Sequence, residues 1–147
     1  MDYRKFTKLY VLLVFSLLMG CTEDEGTTLP QTNCNDFARI DSFSYQEAAT
    51  SPYTINSVTI NEDCLIFNFT ATGCDGLTWT MQLADSGDVS ETDPPQRNVK
   101  LFLINNEACL AEVSRTWSFD LSTLQVEGSN QIIINIDDFA DSVTYSY

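Results

Sequence analysis

Histidine is absent from all 147 residues of this sequence, and that narrows its chemistry at once. Activating a serine or cysteine nucleophile through a triad requires an imidazole that takes and returns the proton, so neither Ser-His-Asp nor Cys-His machinery can be assembled. No GxSxG elbow, phosphate-cradling P-loop or GxGxxG turn occurs either. What remains is 21 carboxylates. Two carboxyl groups flanking a glycosidic bond can hydrolyse it, but with so many acids some pair reaches a suitable spacing by chance. A carboxylate-based hydrolase is therefore the disfavoured alternative, and no enzyme is expected. The acids could instead hold a cation: within DSGDVSETDPPQRN, residues 85–98, the side chains of Asp85, Asp88, Glu91 and Asp93 offer oxygen ligands of the kind Ca²⁺ takes. Their spacing departs from the EF-hand loop, and the segment reads more simply as a solvated acidic loop stiffened by Pro94-Pro95. Beyond this weak Ca²⁺ candidate no cofactor is expected.

A second constellation is aromatic. Val113, Arg115, Trp117 and Phe119 fall on one face of an alternating run, and an arginine sits badly in a core. Exposed, Trp117 beside Arg115 would form a flat platform suited to sugar rings or to a protein hot spot. Buried, the face would be core with Arg115 snorkelling at its edge, and the apolar neighbours favour that reading. Phe102 and Ile104 project outward from the preceding run, where a partner could cover them. Phe102, Arg115 and Trp117 are the candidate ligand-face residues.

The N-terminus positions everything else. Arg4, Lys5 and Lys8 precede a short apolar run from Leu9 to Leu18 that ends at Gly20, the pattern of a secretory signal. A membrane-spanning helix needs ~20 apolar residues. Leu18-Met19-Gly20-Cys21 resembles the lipobox of bacterial lipoproteins, which implies a palmitate-type acylation of Cys21 after cleavage of residues 1–20. Burying each acyl CH₂ contributes ~0.8 kcal/mol, so several chains at one cysteine would anchor the protein stably. Glu23, Asp24 and Glu25 resemble the acidic export signal that sends some Bacteroidota lipoproteins to the outer face of the outer membrane. The resemblance thus implies a lipid-anchored, cell-surface protein. Residues 21–33 contain Pro30 and few apolar groups, as a flexible tether would.

Residues 34–147 form one expected domain. Hydrophobic residues at 44% and aromatics at 12% suffice to build a core. Losing Asp2, Arg4, Lys5 and Lys8 with the signal takes the 7 basic and 21 acidic residues to 4 and 20, a net charge of −16. Such a surface repels phosphate backbones, which excludes nucleic acid as a partner. With Cys21 assigned to lipid, Cys34, Cys64, Cys74 and Cys109 remain, an even number in an exported chain and therefore a disulfide framework. Zinc would want short CxxC spacing, which none of these cysteines has.

Alternation runs through most of the domain. Ile55 to Ile60 (with a phase slip near Ser57), Leu65–Phe69, Leu77–Leu83, Val99–Leu103, Val113–Phe119, Ile132–Ile136 and Val143–Tyr147 each place apolar groups on one side, with turn residues between the runs. The slip suggests a bulge. About seven strands of this kind predict an all-β fold, an antiparallel β-sandwich of immunoglobulin-like architecture. Asn35–Ala49 is read as a possible short N-terminal helix that Pro52 ends.

Strand direction then selects the disulfides. If the strand starting at Cys64 climbs to Ala71, Cys74 lies ~20 Å away at ~3.3 Å per residue. Bonded Cα atoms lie within about 7 Å, so a Cys64–Cys74 bond is out of reach. The next strand descends from Leu77, the one after climbs from Asn98, and Cys109 returns beside Cys74. The strand Tyr53–Ile60 must descend, which leaves Cys34 near Cys64. The expected bonds are Cys34–Cys64 and Cys74–Cys109, each closing a loop of about 30–35 residues and stabilising by roughly 3–4 kcal/mol in the chain-entropy model.

DCLIFNF, GCDG, PPQRNVKLFL and WSFDLSTL resemble runs in small flavobacterial lipoproteins that have no assigned activity. Asp141-Ser142-Val143 resembles the short motif at which some Bacteroidota O-glycosylate exported proteins, making Ser142 a candidate. Asn68-Phe69-Thr70 has the form of a sequon but falls within a strand. The expected role is a non-catalytic surface binding or adhesion module for a glycan or envelope protein; the alternative is a structural accessory subunit of an outer-membrane complex.

Overall fold

A computed structural model describes residues 32–147. The expected signal 1–20, the lipidation at Cys21 and the tether as far as residue 31 lie outside the described residues. Strands β1 (Asp36–Phe37) and β2 (Arg39–Ile40) lead into helix α1 (Ser42–Glu47). There follow β3 (Thr54–Asn61), β4 (Cys64–Gly73), β5 (Thr80–Ser90), β6 (Gln96–Ile104), β7 (Ala111–Asp120), a 3₁₀ turn at Ser122–Leu124, β8 (Gln131–Ile136) and β9 (Val143–Ser146). They make two sheets in the orders β1-β7-β4-β3 and β2-β5-β6-β8-β9, an all-β sandwich with no closed barrel.

Alternation explains the layers, because successive side chains in a strand point to opposite faces. On β4, Leu65, Phe67 and Phe69 are fully buried, and so are Val99, Leu101 and Leu103 on β6. Phe67 meets Phe119 edge-on at 6.0 Å between ring centroids, and Phe69 meets Trp79 at 6.0 Å. The expected bulge is present, as a register shift between Ile55 and Ser57.

Three expectations are corrected. The sandwich is not purely antiparallel, since β1/β7, β2/β5 and β6/β8 pair in parallel. β1 and β2 hold two residues each, too few to show a period, and they carry the chain from one sheet to the other. The helix is confined to Ser42–Glu47. Asp41 starts it, its carboxylate accepting from the Ser44 N–H at 3.0 Å. It stops before Pro52 because the chain becomes a partner of β6: Ser51 N–H donates to the Leu103 carbonyl at 2.8 Å and Tyr53 Oη to the Leu101 carbonyl at 2.6 Å. Finally, most of residues 85–98 is hairpin rather than loop, with β5 running to Ser90 and β6 starting at Gln96.

β4 defines the two ends of the molecule. Cys64 opens it and bonds to Cys34, with Cα atoms 5.6 Å apart. Cys74 follows its last residue, Gly73, and bonds to Cys109 at 4.7 Å. Both bonds are the expected ones, and ten residues of strand at ~3.3 Å each hold them on the order of 30 Å apart.

Candidate functional site

The loops at the Cys74 end are locked by one carboxylate. Glu107 accepts from the backbone N–H of Cys74 at 2.6 Å, Gly76 at 3.1 Å and Asp75 at 3.3 Å, and from the Thr78 hydroxyl at 2.8 Å. Partial burial pushes its pKa up, but the Thr78 hydroxyl and the three N–H groups outweigh that and hold it down at about 2. The approach requires glycine: a Cβ on Gly73 would lie 2.5 Å from Glu107 Oε2 and 2.7 Å from the Trp79 ring. Gly76 adopts φ +68°, where a side chain is strained, and a Cβ there would also press on Arg115. Asn105 donates to the Thr72 carbonyl and accepts from the Glu107 N–H, tying the second loop to the end of β4. Disulfide, carboxylate and amide together fix loops 74–79 and 105–110. These loops display Leu77 at 74% and Leu110 at 90% exposure, and Ile104, 45% exposed, ends β6 at the same end.

The expected ligand face does not assemble. Arg115 and Trp117 lie on the core-facing side of β7, opposite Phe69 and Phe67. Trp117 is half-buried and packs against the core, and the Arg115 guanidinium donates to the Asp75 carbonyl. Phe102 belongs to the other sheet and is only 2% exposed. α1 packs against the neighbouring β5, and the Lys100 ammonium lies 5.5 Å from the Phe102 ring centroid. Alternation placed Phe102 outward correctly but could not show what covers the outer face.

Nor do the acids of residues 85–98 converge. Asp85 is fully buried on the core face of β5, where its carboxylate meets the Arg97 guanidinium at 2.9 Å and accepts from the Gly87 N–H. Burial raises its pKa, an effect the Gly87 N–H and Arg97 offset only in part. Asp88, Glu91 and Asp93 remain exposed along the hairpin. Among the described residues no cluster of three acids, cysteines or histidines is arranged to hold a metal. Ser142 is exposed just before β9, as a modification site would have to be. Asn68 accepts from Asn56 and donates to Thr116 on the outer face of β4.

A shallow cleft of about 180 Å³ opens between the start of β3 and the end of β4, lined by Pro52, Tyr53, Thr70 and Glu112 among others. Small-molecule sites run to ~300–1,000 Å³, so this one is too small to enclose more than a fragment. Sequence reasoning missed Glu107 and Arg97. The paired glycines of GCDG signalled a close approach near Gly73, though not the acid responsible. The Asp85–Arg97 pair was hidden by reading its hairpin as a loop.

No family model matches the sequence, and no curated protein matches it. Three solved structures share the fold. A protein of unknown function from Bacteroides vulgatus is 16% identical with a TM-score of 0.50, over 76% of this chain and 55% of its own. A putative toxin-related protein from Parabacteroides distasonis is 14% identical with a TM-score of 0.50, over 76% and 60%. A NigD-like immunity protein from Bacteroides caccae is 13% identical with a TM-score of 0.53, over 80% and 61%. The chain therefore spans less than two thirds of the length of these Bacteroidota structures, and the likeness is one of fold.

Proposed function

We propose that this chain is a lipid-anchored, non-catalytic binding module of the bacterial outer membrane, displayed at the cell surface, and that it engages an envelope protein through the loops at its Cys74 end. The carrying observation is the pairing of rigidity with exposure. Loops held by a disulfide and a four-donor carboxylate present Leu77 and Leu110 to solvent, and pre-ordered loops lose little entropy on binding. Burying a leucine contributes about 1.5–3 kcal/mol, so covering both favours association. Position supports the same reading: Cys34, where the tether enters, is bonded at the opposite end of β4. Loops 74–79 and 105–110 would then point away from the membrane. The test is affinity capture from envelope extract with the anchored chain, compared with Leu77→Asp and Leu110→Asp. A protein captured by the parent and lost in both variants supports the proposal, whereas capture indifferent to both contradicts it. Fatty-acid labelling abolished by Cys21→Ser would support the anchor. A glycan reading through Trp117 loses its platform because that side chain packs against the core, and an accessory-subunit reading loses Phe102, which is only 2% exposed on the outer face of its sheet.

A further inference from the structure

β7 is paired along its whole length on one side and almost nowhere on the other. All ten of its residues face β4, while β1 meets only Phe119 and Asp120. The bonds fix which groups are free. Leu121 N–H donates toward the β4 side, to the Asp63 carbonyl, whereas the Ser118 and Asp120 carbonyls accept from Asn35 and Ala38 on the far side. The Ser118 N–H donates to the Asn35 side chain on that same far side. Alternation in an antiparallel ladder therefore turns the N–H and C=O of Glu112, Ser114 and Thr116 outward, with no partner among the described residues. Of the other edges, β3 is broken by the bulge at Ile55–Ser57, β9 has only four residues, and β5, which β2 meets only at Ala84 and Asp85, is packed by α1 and shifts register between Asp85 and Val89. β7 pairs regularly and contains no proline.

Charge identifies what fits this edge. The ion pairs among the described residues are Arg39–Asp36 and Arg97–Asp85, which leaves Arg115 without a carboxylate in a chain of 21 acids and 7 bases. Arg115 lies on the same side of β7 as Val113 and Trp117, both half-buried beside the open edge.

We infer that β7 accepts an added strand from a partner protein: an extended segment of the pattern apolar-x-acid-x-apolar, its backbone pairing with Glu112, Ser114 and Thr116, its carboxylate opposite Arg115, and its apolar side chains covering Val113 and Trp117. Strand addition takes affinity from the main chain and specificity from alternate side chains. The pattern reads the same in both directions, so it serves a parallel or an antiparallel strand. Asn35, which already occupies Ser118, sets the lower limit of the added strand.

The test uses the full chain in detergent and the blocked peptide Thr-Val-Thr-Glu-Thr-Val-Thr, with a central-lysine peptide as control. Without peptide, amide exchange should be fast at Glu112, Ser114 and Thr116 and slow at Val113, Arg115 and Trp117. The glutamate peptide should slow the first three at least tenfold, and the lysine peptide should bind at least tenfold more weakly. Ser114→Pro should abolish binding with the fold intact, because that N–H faces away from β4 and proline is tolerated on such an edge. Leu77→Asp and Leu110→Asp should leave peptide binding unchanged, which separates this inference from the role proposed for the loops. Slow exchange at Ser114 without peptide, protection that rises with protein concentration alone, or binding indifferent to Ser114→Pro would overturn it. Should Ser114→Pro fail to fold, the exchange pattern of the unmodified chain and the glutamate–lysine contrast decide.

Discussion

The two ends of the sandwich use similar covalent parts for opposite purposes. Each is closed by a disulfide, spanning 30 residues at the Cys34 end and 35 at the Cys74 end. Toward the Cys34 end the charged and polar groups turn inward: Asp85 pairs with Arg97 beneath the sheets, and the fully buried Tyr145 donates to Asp63, its pKa pushed up to about 12 by burial and that carboxylate. At the Cys74 end the carboxylate of Glu107 organises loops on the surface, and apolar side chains are left in water. One end is built to hold the sheets together and the other to present loops. The difference is energetic, because a charge buried in a core must stay paired, whereas a surface carboxylate can be loosened without losing the fold.

The largest effect should come from breaking the buried pair. Asp85→Ala or Arg97→Ala should each cost about 3–5 kcal/mol in denaturant unfolding, since either leaves an uncompensated charge. Replacing both, Asp85→Leu with Arg97→Met, should recover most of that loss. Because Asp85 titrates above its ordinary range, its contribution is fully present at low pH and is lost as pH rises through its folded value. The double variant should lack that component of the pH profile.

Next come the disulfides. Removing either by a double Cys→Ala change should cost roughly 3–4 kcal/mol, because the loops are of similar length. What should differ is amide exchange: loss of Cys74–Cys109 should speed exchange in residues 74–79 and 105–110 alone, while loss of Cys34–Cys64 should expose β1 and the start of β4. Equal spreading from both would erase the distinction between the ends.

A smaller effect, with a sharper signature, is expected for Glu107→Gln. The folded-state pKa is depressed to about 2, so the stability it contributes is present above its unfolded value of 4.5 and is lost as pH falls through about 2. The parent should therefore gain loop exchange across that window, and the glutamine variant should show the loosened loops at neutral pH with no further change. Smallest of all, Leu77→Asp and Leu110→Asp should alter stability by no more than about 0.5 kcal/mol, as surface changes away from the core do.

The long strands and both disulfides were legible because alternation and strand direction are properties of the chain itself. Leu65, Phe67 and Phe69 declare their face by spacing alone. What escaped depended on distant neighbours. Phe102 is buried on the outer face of its sheet, which alternation alone does not declare, and Arg97 finds Asp85 only once their hairpin is folded. Glu107 reaches across more than 30 residues to a turn whose glycines hinted at an approach without naming it. β1 and β2, at two residues each, carry no period to read, yet the shortness of β1 is what leaves the edge of β7 open.

Photo-crosslinking in living cells can show whether the Cys74 end is the working surface. A photoreactive residue would replace Leu110 at that end or Val89, which is 40% exposed on the opposite hairpin. Position 110 should give one discrete crosslinked protein, absent when Leu77→Asp is added, and position 89 should give none. Crosslinking from position 89 with silence at position 110 would contradict that role for the Cys74 end.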